Sequence, residues 1–256
     1  MKIENKTAII TGGASGLGEA TVRRFRDQGA RIAIFDMNDQ RGGDLASELG
    51  DQVKYYNVNV SDAESVEAAV DDVSKTFGDI HVLCNYAGIS IPTKTINKDG
   101  PGDLDLFIKV INVNLVGTFN VSRVVAYAMS QQETVTDCGC RGVIIHTSSV
   151  AGYEGQIGQA AYSASKAGVV GMTLTMARDL ARNGVRVNSI VPGLIHTPMF
   201  DQLPEDIYNS LVGQVNFPQR LGRPEEIAHL AQYIVENDYT NGESIRMDGA
   251  IRMQAR

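Results

Sequence analysis

Tryptophan is absent from the 256-residue chain, and cysteine and proline are scarce, at three and seven residues. The cysteines, Cys84, Cys138 and Cys140, are odd in number and suggest no disulfide framework, which fits a reducing compartment. Cys138 and Cys140 lie close together, but no second Cys/His pair lies near them in the sequence. A polar surface loop is therefore the simpler interpretation of that segment, and we predict no metal site.

Long apolar runs and an excess of basic residues are missing as well. No apolar run reaches the ~18 residues needed to span a bilayer, and the N-terminal MKIENKTAIITGG lacks the pattern of a signal or transit peptide. Lys and Arg total 23 against 30 Asp and Glu, a net charge of −7 that argues against nucleic acid. We therefore expect a cytoplasmic protein whose partner is neither a membrane nor a nucleic acid.

The sequence does contain a regular alternation of strand-like and helix-like segments. Short runs that are apolar almost throughout are typical of strands buried on both faces. They are Lys6–Ile10, Arg31–Phe35, Val53–Val58, Ile80–Cys84, Val143–His146, Val185–Val191 and Ser244–Met247. Helical patterns separate them at Gly18–Gln28, Asp39–Leu49, Ala63–Thr76, Asp105–Gln132, Gly158–Ala181 and Pro224–Glu236. This order predicts an α/β fold in a single domain, residues 1–256, with one parallel sheet and helices on both faces.

Two polar segments, Ser90–Asp103 and His196–Arg223, interrupt this alternation. The second follows the sixth strand and contains a short predicted helix, Pro204–Gly213. In an open α/β sheet, the loops after the carboxyl ends of strands border the ligand crevice. Residues 196–223 are therefore the predicted substrate lid.

A glycine-rich loop, TGGASGLG, follows the first strand at Thr11–Gly18. Small residues let a backbone approach a pyrophosphate, and the next helix points its free N–H groups at that charge. A tight turn alone would also explain the glycines, but the flanking strand and helix and the acid at the end of the second strand favour a dinucleotide site. The residues expected to contact the cofactor here are Gly12, Ser15, Gly16, Leu17 and Gly18.

That acid is Asp36, whose carboxylate can accept hydrogen bonds from the adenosine ribose and would repel a 2′-phosphate. Neither Gly13 nor Met37 supplies a neighbouring cation to offset that repulsion, so we predict NAD rather than NADP. Two further loops at strand ends are expected to lie close to the cofactor. Their residues are Asn85, Ala87 and Gly88 after the fourth strand, and Pro192, Gly193, Ile195 and Thr197 after the sixth.

Tyr162 and Lys166 lie four residues apart at the start of a helical stretch, which places them on one helix face. Such a pair is common on protein surfaces, but two polar residues accompany it. Ser149 ends the fifth strand, and Asn114 stands inside the long preceding helix, where an asparagine is mildly unfavourable. Neighbouring strand residues point to opposite faces, so only one of Ser148 and Ser149 can face the site.

Such a set fits the removal of a proton from a secondary alcohol as its hydride leaves. A tyrosine has a reference pKa of ~10, too high for a base near neutrality. An ammonium ~4 Å away favours the phenolate by up to ~4 kcal/mol at an effective dielectric constant of ~20. We therefore predict Tyr162 as general acid/base and Lys166 as the group that lowers its pKa and binds the ribose. Ser149 would hydrogen-bond the substrate oxygen, and Asn114 would hold a water that relays protons.

These motifs together resemble the short-chain dehydrogenase/reductase family, over essentially the whole chain. The resemblance implies a single Rossmann-type, doubly wound domain with about seven parallel strands. It also implies the catalytic set Ser149–Tyr162–Lys166–Asn114, and so selects Ser149 over its neighbour. One position departs from the family: the third strand usually ends in Asp-Val, whose acid contacts the adenine amine. This chain has Asn59 and Val60 there, and the asparagine carbonyl can still accept a hydrogen bond.

Three further segments, Gly155–Tyr162, Phe217–Gly222 and Met247–Met253, resemble one branch of that family, the type-2 3-hydroxyacyl-CoA dehydrogenases. Members of that branch are NAD-dependent homotetramers that act on (S)-3-hydroxyacyl-CoA and on various alcohols and steroids. The resemblance thus implies a homotetramer acting on a small-molecule substrate, and Gln159 in the substrate pocket beside Ser149 and Tyr162. The apolar stretch Val169–Met176 is either a subunit interface or part of the core.

The expected activity is hydride transfer between NAD and a secondary alcohol/ketone pair, foremost 3-hydroxyacyl-CoA and 3-ketoacyl-CoA. A hydroxysteroid or general secondary-alcohol dehydrogenase stays open, because one apolar contact in a pocket changes specificity by only ~1–3 kcal/mol. A non-catalytic NAD-binding regulator on the same fold is the second alternative, for which a broken Tyr/Lys pair would be expected. A reductase of acyl-carrier-protein substrates is disfavoured by Asp36, because reduction usually runs on NADP.

Overall fold

A computed structural model describes residues 1–197 and 204–255 of the chain. The strands of its large sheet are β1 (Thr7–Thr11), β2 (Arg31–Asp36), β3 (Val53–Asn57), β4 (Val82–Asn85), β7 (Gly142–Thr147), β8 (Val185–Pro192) and β9 (Ser244–Met247), while β5 (Ile96–Asn97) and β6 (Gly100–Pro101) form a separate hairpin. The large sheet has the order β3-β2-β1-β4-β7-β8-β9, and every neighbouring pair is parallel. The predicted doubly wound parallel sheet is therefore confirmed.

The helices are α1 (Gly16–Asp27), α2 (Asp39–Leu49), α3 (Ala63–Phe77), α4 (Leu104–Ile111), α5 (Gly117–Ser130), α6 (Ala160–Asp179), α7 (Glu205–Val212) and α8 (Pro224–Glu236). Three of them begin at an acidic or amide side chain that accepts hydrogen bonds from the first turn, namely Asn38, Asp62 and Asp103. Such caps satisfy backbone N–H groups that have no partner inside the helix.

Both faces of the sheet carry a buried apolar cluster, which explains why the strands read as continuous apolar runs. Along β1, Ile9 packs toward α3 and α5, and Ile10 packs toward α1 and α8. In the sheet, β1 lies between β2 and β4. From β1 the chain adds β2 and β3 on one side, and then β4, β7, β8 and β9 on the other, so the order reverses between β1 and β4. Ligands of open α/β sheets bind at the carboxyl ends of the strands beside that switch point.

Three details differ from the expectations. The long helix predicted over Asp105–Gln132 is two α-helices joined by a π-helical turn, Asn112–Val116. The polar segment Ser90–Asp103 contains the β5–β6 hairpin. Cys140, expected in a polar surface loop, is buried, and its Sγ lies 3.5 Å from the Gly142 carbonyl oxygen.

Within the predicted lid, residues 198–203 lie outside the described part, and the short helix is confirmed as α7.

One helical stretch among the described residues, Leu104–Ser130, is long and apolar enough to cross a membrane by length and composition alone. The mean hydropathy of this stretch is 1.3, although the stretch contains no unbroken apolar run long enough to span a bilayer. In the structure it flanks the sheet, where α5 packs against α3 and the π-helical turn packs against α6. The expectation of no membrane partner stays a prediction.

Candidate active site

The loop after β1 passes through two glycines in the left-handed region, Gly12 with φ of 63° and Gly16 with φ of 53°. A Cβ on Gly12 would lie 2.8 Å from the backbone nitrogen of Ala87, and a Cβ on Gly18 would lie 2.1 Å from the Gly12 carbonyl oxygen. Glycine is required here because the β1 loop, the β4 loop and the start of α1 approach one another this closely. The amino end of α1 consequently faces the crevice.

A cavity of about 620 Å³ opens at this point, within the ~300–1,000 Å³ usual for cofactor sites. The predicted cofactor residues that line it are Gly12, Ser15, Gly16, Leu17, Gly18, Asp36, Asn59, Val60, Ala87, Gly88 and Thr197. Residues that the sequence argument missed also line it: Phe35, Met37, Arg41, Val58, Tyr86, Ile89, Lys109 and Val113. A glycine floor, a helix amino end and a rim carboxylate fit a dinucleotide.

Two backbone N–H groups hold the rim carboxylate of Asp36. Its Oδ2 accepts from Ala14 of the glycine loop at 3.1 Å, and its Oδ1 accepts from Asn38 at 3.0 Å. Arg41 lines the same rim, and its guanidinium lies 3.6 Å from the Glu19 carboxylate. This cation lies five residues from Asp36 in the chain and was not among the predicted cofactor residues. The sequence feature that could have predicted this position is Asn38, whose side chain caps α2. The cap starts the helix close to Asp36, so that Arg41 in the first turn lines the cavity.

Six predicted cofactor residues are not among those lining the cavity, namely Asn85, Tyr162, Lys166, Pro192, Gly193 and Ile195. The Asn85 amide donates to Ser122 Oγ at 3.1 Å, beneath the loop. Pro192 ends β8, and Gly193 packs so closely on Asp248 that a Cβ would lie 2.7 Å from its Cα. Ile195 is buried. Their contacts with a cofactor remain predictions.

Asn114 lies in the π-helical turn and is fully buried. Its Oδ1 accepts from the backbone N–H of Ile89 at 2.8 Å, and its amide donates to the Ile89 carbonyl at 2.9 Å and to Ser165 Oγ at 3.1 Å. The side chain thus forms hydrogen bonds with backbone groups of the loop after β4. This explains an asparagine in the middle of a helical stretch.

Lys166 is buried on α6, and its Nζ donates to the Thr147 carbonyl at 2.8 Å. A Cβ on Gly88 would lie 3.6 Å from this Nζ and 3.2 Å from Asn114 Oδ1. Gly88 also lines the large cavity. The amine and the asparagine therefore lie close to Gly88 at the candidate cofactor site.

The two serines after β7 point in different directions, as the alternation along a strand requires. Ser148 Oγ donates to the Lys166 carbonyl at 2.8 Å. Ser149 caps the short 3₁₀ turn that follows, and its side chain lies near enough to Tyr162 to lower the pKa of that phenol. Ser149 is thus the serine that faces the tyrosine.

The expected lowering of the Tyr162 pKa is wrong for this structure. Burial raises the pKa of Tyr162, and hydrogen bonding with Ser149 offsets only part of that rise. Lys166 Nζ lies 5.7 Å from the centroid of the tyrosine ring and donates to the Thr147 carbonyl. Burial also lowers the pKa of Lys166 to about 8. Near neutrality the pair is thus a neutral phenol beside a protonated amine.

Gln159 caps α6 and lines a separate groove of about 490 Å³ with residues 93–95 and 155–160. Its side chain exchanges hydrogen bonds with Gln156, accepting from the backbone N–H at 3.1 Å and donating to Oε1 at 3.4 Å. The groove ends at the first turn of α6, which carries Tyr162. The predicted substrate residue therefore lies three residues before Tyr162 in the chain, and Tyr162 itself does not line this groove.

Comparison with known proteins agrees with this geometry. The family model described as short chain dehydrogenase matches residues 6–207. The chain is 51% identical over 254 residues to "3-hydroxyacyl-CoA dehydrogenase type-2" of Bos taurus, covering 98% of this chain and 97% of that protein. A crystal structure of "3-hydroxyacyl-CoA dehydrogenase type-2" from Mycobacterium avium superposes with a TM-score of 0.94 at 40% identity, covering both chains fully. At 35% identity over 250 residues, "3-alpha-(or 20-beta)-hydroxysteroid dehydrogenase" of Mycobacterium bovis covers 97% of this chain and 90% of its own.

The match over most of the chain confirms the family resemblance read from the motifs. The family implies a nicotinamide cofactor and a small-molecule substrate. The chain belongs to the short-chain dehydrogenase family and is an oxidoreductase acting on CH–OH groups.

Proposed function

We propose that this protein transfers a hydride between NAD and a secondary alcohol/ketone pair, foremost 3-hydroxyacyl-CoA and 3-ketoacyl-CoA. The observation that supports the reaction type is that Ser149 and Lys166 both lie beside Tyr162, with the Lys166 amine close to Gly88 of the cofactor cavity. The substrate class is supported by relatives of that name at about half identity over the full chain.

In this proposal Tyr162 exchanges a proton with the substrate oxygen as the hydride moves. When bound, the oxidised nicotinamide supplies the hydride acceptor and a positive charge. Ser149 donates a hydrogen bond to the substrate oxygen and orients it toward the phenol. Lys166, fixed by the Thr147 carbonyl, supplies the charge that stabilises the phenolate. Asn114 holds the loop after β4 in place and passes protons outward through a bound water.

NAD is the proposed cofactor because the Asp36 carboxylate is fixed at the rim by two backbone donors. A 2′-phosphate placed there would meet a like charge, which costs binding free energy. Arg41 reduces that cost, but its guanidinium is engaged by Glu19. The comparison of dissociation constants for NADH and NADPH tests the proposal, and equal or tighter binding of NADPH would contradict it.

A homotetramer is proposed on the strength of an exposed apolar face. The large apolar side chains on α4, the π-helical turn and α5 that are about half exposed or more are Leu104, Ile108, Val116, Phe119 and Tyr127. Large exposed apolar surfaces mark interaction sites. On α6 the stretch Val169–Met176 is mixed: Val169 and Met176 are buried, and Leu174 is exposed. Light scattering of the wild type and of Phe119→Glu measures the assembly directly, and a monomeric wild type would contradict it.

A cytoplasmic location is proposed from the thiols. Cys84, Cys138 and Cys140 are all free, and Cys138 is exposed. An exposed free thiol fits a reducing compartment. Fractionation of cells that produce the tagged protein tests this location.

The decisive experiment follows NADH oxidation with acetoacetyl-CoA beside a ketosteroid and a simple aryl ketone. We expect the thioester to have the highest kcat/KM of the three. Good turnover of the ketones without turnover of the thioester would favour the hydroxysteroid or general alcohol dehydrogenase, which the relative at 35% identity also supports. NADH binding with no turnover of any ketone would favour the non-catalytic regulator.

A further inference from the structure

The C-terminal segment, residues 251–255, lies directly against the loop of residues 153–159, here called the 153–159 loop. The backbone N–H of Ile157 donates to the Ala255 carbonyl at 3.0 Å. The Gln156 amide donates to the Gln254 carbonyl at 3.2 Å. These contacts join parts of the chain almost a hundred residues apart in the sequence.

The Glu154 carboxylate lies at the centre of this contact, and the Asp248 carboxylate binds the same two arginines at 2.8 and 3.3 Å. Glu154 accepts a two-pronged hydrogen bond from Arg246 of β9 at 2.8 and 3.2 Å, and a third from the backbone N–H of Met253 at 3.2 Å. The Arg252 guanidinium lies 3.4 Å away. Arg246 in turn donates to the Ile251 carbonyl at 3.1 Å. One side chain therefore ties the 153–159 loop to both β9 and the C-terminal segment.

The bonds to Glu154 are stronger than an ordinary surface ion pair. The side chains of Glu154 and Arg246 are only 23% and 24% exposed, and the arginine is bidentate, a geometry that adds strength and fixes orientation. Arg246 also lies 5.5 Å from the centroid of the Tyr153 ring. Arg246 lowers the pKa of the Glu154 carboxyl, which therefore stays charged at neutral pH.

The clamped loop leads into the candidate substrate site. It ends at Gln159, the cap of α6, three residues before Tyr162. On its other side, the loop is held by the Gly158 carbonyl, which accepts from Thr93 at 2.8 Å. The loop forms a wall of the 490 Å³ groove but has no regular structure of its own after the 3₁₀ turn. Its position therefore depends on these outside contacts as well as on the bonds between Gln156 and Gln159.

We propose that Glu154 is a positioning residue for substrate binding, because it clamps the C-terminal segment onto the 153–159 loop and so holds Gln159 at the groove. This proposal rests on the proposed function in one respect, the assignment of the groove to the substrate. The clamp acts on the substrate side alone, since neither Glu154 nor the C-terminal segment lines the cofactor cavity.

The test compares Glu154→Gln with the wild type in the full-length protein. The amide keeps the size of the side chain but cannot hold the guanidinium as a charged pair. We expect KM for acetoacetyl-CoA to rise at least ~5-fold, kcat to change less than ~2-fold, and the NADH dissociation constant to stay unchanged. Glu154→Asp, which restores the charge, should recover part of the lost affinity. Glu67→Gln is the matched control, since Glu67 pairs with Arg123 at 2.8 Å and neither residue lines the cofactor cavity or the groove.

A second variant ends the chain after Arg252, which removes the backbone groups of residues 253–255 and leaves the pair of Glu154 with Arg246 intact. It should raise KM in the same way, and adding Glu154→Gln to it should raise KM by less than in the full chain. Hydrogen exchange of the 153–159 loop gives a readout independent of turnover, and exchange should speed up in both variants.

Faster exchange with an unchanged KM would overturn the proposal, because the clamp would then be structural only. A parallel fall of kcat and NADH affinity would overturn it as well. If Glu154→Gln does not fold, the shortened chain gives the same decision. A wild type that does not turn over the thioester would contradict the proposed substrate instead, and the same variants are then compared on the ketone that is turned over.

Discussion

The two halves of the site are built from different materials. The cofactor half is backbone: a glycine loop, a helix end and one carboxylate held by two N–H groups. The catalytic half is a set of side chains, with Asn114 and Lys166 buried and fixed by carbonyls and amides from other elements. The cofactor half depends on how closely its backbone segments can approach one another and the bound cofactor. The second depends on how polar groups are satisfied away from water.

This difference predicts different modes of failure. A substitution in the cofactor half acts through steric contact and should reduce binding. A substitution in the catalytic half leaves the shape intact and should act on the chemistry or on the free energy of a buried charge. Four substitutions separate these cases.

The largest effect is expected for Tyr162→Phe, which removes only the hydroxyl. Turnover should fall by about 10²–10⁴-fold, the usual contribution of a general acid/base. The NADH dissociation constant should stay within about two-fold of the wild type, because the ring remains. Steady-state rates and NADH fluorescence titrations measure both. Substantial residual turnover would remove Tyr162 from the mechanism and blur the contrast between the halves.

Gly12→Ala should damage binding. The added Cβ would meet the Ala87 backbone at 2.8 Å, and a left-handed conformation costs a side chain ~1–2 kcal/mol. The NADH dissociation constant should rise at least ~30-fold, since each 1.4 kcal/mol is about tenfold. Gly43→Ala is the control, because nothing lies within 4 Å of that position in α2. Unchanged NADH affinity in Gly12→Ala would contradict the steric account of this half.

Asp36→Ser should improve NADPH binding by ~10-fold, because it removes a like charge from the rim. Much of that gain should disappear in Asp36→Ser combined with Arg41→Ser, since Arg41 lines the same cavity. Arg24→Ser is the matched control: this arginine donates to Gln232 at 2.7 Å and does not line the cavity. If the double variant binds NADPH as tightly as Asp36→Ser alone, Arg41 does not contact the 2′-phosphate.

The smallest effect concerns stability. Burial lowers the pKa of Lys166 to about 8, below its ordinary 10.5, so protonation costs folding free energy. That cost is full below pH 8 and disappears as pH rises toward 10.5. Lys166→Met removes it, at the loss of a hydrogen bond worth ~1 kcal/mol. The net gain at pH 7 should be about 2 kcal/mol.

For a domain of this size, a gain of that order raises Tm by about 4–8 °C. Melting curves of the wild type and of Lys166→Met at pH 7 and pH 10 measure it, with activity assayed beside them. Activity should be lost while Tm rises at pH 7, and the Tm difference should shrink at pH 10. A lower Tm at pH 7 would show that the buried amine stabilises the fold.

The sequence predicted most of the residues that line the cofactor half. It did not predict how burial changes the pKa values in the catalytic half. Gly12, Asp36 and Gly88 line the cavity, because each lies at the end of a recognisable strand or within three residues after it. Arg41 was missed, since its place depends on where α2 begins. The direction of the Tyr162 pKa shift was wrong, because spacing on a helix says nothing about burial or about the carbonyl that holds Lys166.

By itself, the sequence determined the order of the sheet-forming segments, the glycine loop and the presence of Tyr162, Lys166, Ser149 and Asn114, since these depend on local periodicity and spacing. Only the tertiary structure decided how far the amine lies from the phenol and which loop Asn114 holds. It alone also joined Glu154 to Arg246 and the C-terminal segment. The physical reason is that these arrangements depend on packing between distant parts of the chain, where burial sets the free energy of every charge and hydrogen bond.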